Sequence, residues 1–157
     1  MSLNRFRRLI EAAKRSQKMA YCPYSRYPVG AAVLTASGRI FCGANVESAS
    51  YGLTLCAERV AICNAVTRGH KELRAVAVAG RSARPCGACR QVMLEFSSKD
   101  TALILIDLNQ HKRDTVSRTR VYSMLPTPFD PIASGLIPPS PQNLLRSLPA
   151  GRRRRGA

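Results

Sequence analysis

Acidic residues are scarce: nine Asp and Glu stand against 25 Lys and Arg, for a formal net charge of +16 at pH 7. No acid follows Asp130, whereas residues 133–157 hold five Arg. Without that segment the count is 20 basic against nine acidic, or +11, so the body of the chain is basic as well. Such a balance can serve RNA or DNA, although a basic surface is more often a solvated face than a binding groove. Long apolar runs are also missing, and the N-terminus lacks the apolar core of a secretory signal, so a cytoplasmic protein without a membrane partner is expected. The first eighteen residues, with six basic and one acidic, would also suit an organellar transit segment. There is no internal repeat, and 157 residues suffice for one domain with one site.

A second C-x-x-C is absent too. Cys86-Gly87-Ala88-Cys89 is the single instance, and a zinc ribbon needs two. A redox pair would explain Cys86 and Cys89 but not Cys56-Ala57-Glu58, thirty residues upstream. Taken together, Cys56, Cys86 and Cys89 supply three thiolates for one tetrahedral zinc and leave the fourth position to water, with Glu58 beside it. Cys22, Cys42 and Cys63 have no such partners and are expected in or near the core, where a free cysteine behaves as a small hydrophobe.

The spacing has a physical basis. Residues three apart share a helix face, so with Pro85 in the first turn, Cys86 and Cys89 would point at one ion. Cys56 opens C-A-E-R-V-A-I-C-N-A-V, whose Val60, Ile62, Ala65 and Val66 suit a packed helix with the third ligand in its first turn. Two helix N-termini would then aim positive dipole ends at a centre where three thiolates outweigh a divalent cation by one charge. That excess weakens the metal as a Lewis acid. Arg59 is placed to draw charge off the sulfurs, and Glu58 to take a proton from the water and return it to a substrate.

Cys-x-Glu followed by Pro-Cys-x-x-Cys is the pattern of zinc-dependent deaminases. From Tyr21 to about Phe129 the chain resembles the small-chain cytidine deaminases in several motifs: Y-C-P-Y-S-R-Y-P-V-G-A-A-V, G-A-N-V-E-S-A-S-Y-G-L-T-L-C-A-E-R, P-C-G-A-C-R-Q-V and M-L-P-T-P-F. The resemblance implies a three-layer α/β/α sandwich on a mixed sheet of about five strands, spanning residues 1–131. It implies one zinc per chain on Cys56, Cys86 and Cys89. It also implies a homotetramer with shared active sites, and hydrolysis of cytidine and deoxycytidine to uridine and deoxyuridine in pyrimidine salvage. In that reaction a zinc-bound water attacks C4 and Glu58 shuttles protons.

The resemblance also makes Asn45 and Glu47 the ribose-binding pair. Asn45 offers donor and acceptor and Glu47 only accepts, so a sugar hydroxyl is held with direction. The carboxylate would repel a phosphate, which favours a free nucleoside over a nucleotide. On its own, N-x-E would be a common turn cap. Tyr27 stands where the family usually carries Phe against the base, and its added hydroxyl needs a partner if buried. Tyr51 and Phe129 resemble positions that close a neighbouring subunit's pocket, against the plain alternative of core or interface packing. Competing functions are a deaminase of a C-containing polynucleotide, a deaminase of a nucleoside antibiotic, and a binding protein without catalysis, for which Glu58 would be superfluous.

Elsewhere, Leu3, Phe6, Leu9, Ile10 and Ala13 predict an amphipathic helix over residues 3–19. Residues 29–35 and 39–43 predict a hairpin, and 73–79 and 101–108 predict buried strands. A strand over 114–118 and a short helix ending at Pro126 complete the domain. Residues 132–157, rich in Pro and Ser and with four consecutive Arg near the end, read as a disordered tail that could touch nucleic acid non-specifically along with the basic surface.

Overall fold

A computed structural model describes residues 6–109 and 113–137. The start of the expected first helix and the tail from 138 to 157 lie outside these residues.

Alternation within the strands builds the layers. In β3 (Leu73–Gly80) and β4 (Ser97–Asp107), Val76, Val78, Leu103 and Leu105 face one side, while Ala75, Ala77, Ala79, Ala102, Ile104 and Ile106 face the other. Successive strand residues point to opposite faces, so a sheet apolar on both must be covered on both. The sheet order is β2-β1-β3-β4-β5, with β1 at Gly30–Thr35, β2 at Ile40–Ala44 and β5 at Thr115–Arg120. Only β3 and β4 run parallel; the other neighbours are antiparallel.

The alanine-rich face receives α1 (Arg7–Gln17), which buries Leu9, Ala12, Ala13 and Ser16 and turns Arg8, Glu11 and Arg15 to solvent. The fit is close: a Cβ on Gly30 would lie 2.2 Å from the Ala13 carbonyl oxygen. The opposite face receives α2 (Ala57–Val66) and α3 (Gly87–Glu95). This is the expected three-layer sandwich on a mixed five-stranded sheet.

Several boundaries move. β4 begins at Ser97, four residues before its apolar run, because Ser97 pairs with Leu73 ahead of a register shift that brings Ala102 opposite Ala75. The expected short helix is a single 3-10 turn at Tyr122–Met124. Cys63 is exposed, on the solvent side of α2, and is not a core residue; Cys22 and Cys42 are half-buried.

α3 forms the crossover between the parallel strands, so the segment 81–86 leaves the carboxyl end of β3 and enters the N-terminus of α3. Crevices beyond the carboxyl ends of parallel strands are the usual binding places of open α/β sheets. No helix among the described residues is long and apolar enough to cross a membrane.

Candidate active site

Two helix starts converge on three sulfurs. Cys56 is the N-cap of α2 and Cys86 the N-cap of α3, both with extended backbone and neither start capped by a side-chain hydrogen bond. Pro85 therefore precedes α3 and does not sit in its first turn. Cys86 still aligns with Cys89, because an N-cap residue and the third helical residue lie on the same side of the helix end. Cys89 is fully buried, and the three ligand atoms lie within 4.8 Å of one another, with Cys56 and Cys86 Sγ 3.9 Å apart. Tetrahedral zinc with bonds of about 2.3 Å puts its sulfurs about 3.8 Å apart, so the triad fits that ion with small adjustments.

The charge around the sulfurs is organised for anions. The Cys89 thiol is pushed up by its hydrogen bond to Cys56 and by burial. Cys56 is pulled down to about 5 by Cys89, against the cost of burial and with help from Cys86 and Arg59. Metal ligation requires all three as thiolates. Arg59 Nη2 donates to the Thr54 carbonyl at 2.7 Å, whereas its buried Nε has no acceptor among the described residues. Burial opposes the guanidinium charge, yet the cysteines hold its pKa above the ordinary value. A donor left unpaired beside a cysteine cluster is satisfied when those sulfurs carry charge.

Glu58, 4% exposed, lies in the first turn of α2. Burial is the main force raising its pKa, with the Cys56 charge adding to it. Helix α2 holds this position because Gly43 of β2 lets it come close: a Cβ there would be 2.4 Å from the Ala61 nitrogen and 2.6 Å from the Ala57 oxygen.

Cys56, Ala57, Glu58 and Cys86 floor a cleft of about 340 Å³ whose other walls are Ser25, Tyr27, Val29, Asn45, Glu47, Thr54, Ala83 and Arg84. Asn45, buried, accepts from the Val29 N–H at 2.8 Å and donates to the Tyr27 carbonyl at 3.0 Å. Its amide thus fixes the 27–29 wall and keeps one hydrogen and one lone pair for a ligand. Glu47 accepts from the N–H groups of Tyr24 and Ser25 at 2.9 and 3.2 Å and from the Ser25 hydroxyl. Those bonds, the Ser25 hydroxyl foremost, hold its pKa below the ordinary carboxylate value.

Tyr51 and Phe129 are not brought to Glu58. Tyr51, 73% exposed, meets Tyr24 edge to face at 5.8 Å on the outer side of Glu47. Phe129, 59% exposed, is tied through its carbonyl to Gln91 and borders a separate pocket beside α3. Sequence reasoning passed over Ser25, Thr54 and Arg84, as well as Arg90, whose Nε donates to Pro85 O at 2.8 Å and whose Nη1 donates to Met124 O at 3.0 Å. Ser25 carried a signal, since Ser beside Pro and Tyr suggests a turn whose N–H groups are free for a carboxylate.

A three-layer α/β/α fold that brings a cysteine triad and a buried glutamate to paired helix starts defines the class of zinc-dependent hydrolytic deaminases. Residues 4–105 match the cytidine and deoxycytidylate deaminase zinc-binding region, and the chain belongs to that family. It is 44% identical over 119 residues to a protein described as a probable cytidine deaminase of Dictyostelium discoideum, covering 73% of this chain and 81% of that one. It is also 44% identical to a cytidine deaminase of Halalkalibacterium halodurans, covering 77% and 91% respectively. Among solved structures, the cytidine deaminase of Burkholderia pseudomallei superposes with a TM-score of 0.73 at 41% identity, covering 82% of this chain and all of that one. That of Mycobacterium tuberculosis gives 0.67 at 37%, covering 80% and 97%. The chain is a zinc-binding hydrolase of the cytidine deaminase type.

Proposed function

We propose that the protein hydrolyses cytidine and deoxycytidine to uridine and deoxyuridine with release of ammonia, consuming free nucleosides in pyrimidine salvage. The observation that carries this reading is a single cleft lined by buried Glu58, by Cys56 and Cys86 of the triad, and by Asn45 and Glu47. Zinc on Cys56, Cys86 and Cys89 would supply a water acidified to near neutral pH.

The chain's own groups do the rest. Glu58, kept from solvent, takes a proton as oxygen bonds to C4, then returns protons to the ring and to the departing amine as the C4–N4 bond breaks. Its raised pKa suits a group that must both accept and donate. Arg59 takes up part of the thiolate charge. Asn45 and Glu47 orient the sugar, Tyr27 walls the base, and the Glu47 charge disfavours a phosphate nearby.

A homotetramer with shared sites is part of the same reading. Tyr21, Tyr24, Val46, Tyr51, Leu53 and Leu55 are all exposed, linked by the bridges Tyr21–Val46 and Val46–Leu55, and lie next to Glu47 and Thr54. An apolar patch of this kind favours a protein partner, and a second copy would bring aromatic side chains to the cleft. Three thiolate ligands suit a reducing cytoplasm.

Incubation with cytidine, deoxycytidine, cytidine monophosphate and a C-containing oligomer, with uracil products followed, tests the reading. Both nucleosides should be converted, and turnover of the oligomer alone would replace it with polynucleotide deamination.

A further inference from the structure

The Tyr27 hydroxyl donates to the carbonyl of Arg81, joining two walls of the cleft that are 54 residues apart in sequence. One wall is the 25–29 segment fixed by Asn45. The other is the short connection from β3 to α3 that ends at Cys86. That connection is firmly anchored below the bridge: Ser82, at φ +51°, donates its N–H to Asp107 Oδ1 at 2.7 Å, and Leu108 donates its N–H to the Gly80 carbonyl at 3.1 Å. Ala83 is 4% exposed and packs against Gly80.

On the far side of the bridge lies a second cleft of about 310 Å³, lined by Gln17, Arg26, Tyr27, Pro28, Arg81, Leu108 and Asn109. Tyr27 borders both spaces, and Arg81 provides its acceptor from the second. From this arrangement we infer that the Tyr27–Arg81 bridge is a size-limiting partition that restricts the protein to cytidines with an unsubstituted amino group.

The inference rests on the proposed cytidine reaction, which places the amino-bearing carbon at Glu58 and the cysteines. Tyr27 lines the same cleft as Glu58, Cys56 and Cys86. A substituent on N4 would press on the walls around Glu58. Ala83 cannot yield, being buried against backbone, and Asn45 holds the 27–29 segment. The side chain of Tyr27 is the wall with empty space behind it. With its hydroxyl bonded, the ring is fixed at both ends and the second cleft is closed to the substrate. Phenylalanine would keep the ring and lose the tether, and alanine would join the two spaces.

The test compares the zinc-loaded protein with Tyr27→Phe and Tyr27→Ala, after checking melting temperature and zinc content. Each is assayed for uridine formation from cytidine, N4-methylcytidine and N4-ethylcytidine. Water oxygen replaces the amine at C4 in every case, and ammonia, methylamine or ethylamine leaves with the proton. The unaltered protein should use N4-ethylcytidine at least about tenfold less efficiently than cytidine, the scale on which a tight pocket rejects a methylene or two. Tyr27→Phe should relax that ratio severalfold. Tyr27→Ala should relax it by about tenfold or more while cytidine turnover itself falls, because the opened wall admits the larger group. A general loss of stability would lower all three substrates together and leave the ratio unmoved. Equal ratios across the three proteins, or good use of N4-ethylcytidine by the unaltered protein, would overturn the partition. Tyr27→Leu gives the same comparison should the alanine variant fail to fold. If the unaltered protein leaves cytidine intact, the reaction assignment itself fails and the partition falls with it.

Discussion

Ser25 grips both oxygens of Glu47, through its N–H to Oε2 at 3.2 Å and through its hydroxyl to Oε1. A turn thus aims a carboxylate into the cleft without burying it. Ser25→Ala should raise KM for cytidine about threefold to tenfold, the scale of one hydrogen bond, and leave kcat nearly unchanged. The pH dependence follows from the sign. Ser25 holds the Glu47 pKa below its ordinary value, so the ionised form persists to lower pH in the unaltered protein. In the variant the pKa returns upward, and the rise in KM on acidification should begin at a higher pH. Steady-state assays across the acid range check this, and coincident profiles would remove Ser25 from substrate binding.

Glu58→Gln keeps the size of the side chain and loses the proton carrier. We expect zinc content and melting temperature close to those of the unaltered protein, with kcat lower by about 10²- to 10⁴-fold. Near-normal turnover would mean that another group moves the proton.

Arg59→Gln should weaken zinc binding by about 10- to 100-fold in a chelator competition, the range found when groups supporting metal ligands are changed. The motive is the buried Nε, which has no acceptor among the described residues unless the sulfurs are charged. An unchanged affinity would reduce Arg59 to its bond with the Thr54 carbonyl.

Gly43→Ala tests the seating of α2. The new Cβ would meet the backbone of Ala57 and Ala61 at 2.6 and 2.4 Å, and backbone cannot rotate away. Overpacking of this kind costs about 1–3 kcal/mol, so melting should fall by several degrees. Turnover should drop further than stability alone explains, because Glu58 travels with the helix. A stable, fully active variant would show that α2 can shift without cost to the site.

The layers and the gathering of the cysteines were legible in the sequence for the same reason: both depend on short-range periodicity. Alternation in 73–79 and 101–108 fixes which side chains share a sheet face, and C-x-x-C at a helix start fixes two sulfurs on one side. Pro85 was misplaced by two residues, since a proline before a helix and one in its first turn read alike. Ser97–Asp100 were missed as strand, because they contribute no apolar run and join the ladder through the pairing of Ser97 with Leu73, ahead of a register shift. Cys63 was read as buried from its type alone, but helix phase puts it outside. The grip of Ser25 on Glu47 and the Tyr27–Arg81 bridge join residues 22 and 54 positions apart, and no local pattern encodes such pairs. The expectation for Tyr51 and Phe129 came through resemblance alone, and a single chain leaves both facing solvent.

The N-cap positions of α2 and α3, where Ser, Thr, Asn or Asp would ordinarily accept a backbone N–H, are both occupied by cysteine. Helix starts without such acceptors fray unless a negative charge is fixed nearby. The same sulfurs that would hold the ion therefore decide how firmly the two helices begin. Chelation should be visible as faster amide hydrogen exchange confined to the first turns of α2 and α3, while the strands of the sheet exchange as slowly as before. Catalytic competence and the order of the helix ends would then be lost and regained together as zinc is withdrawn and restored.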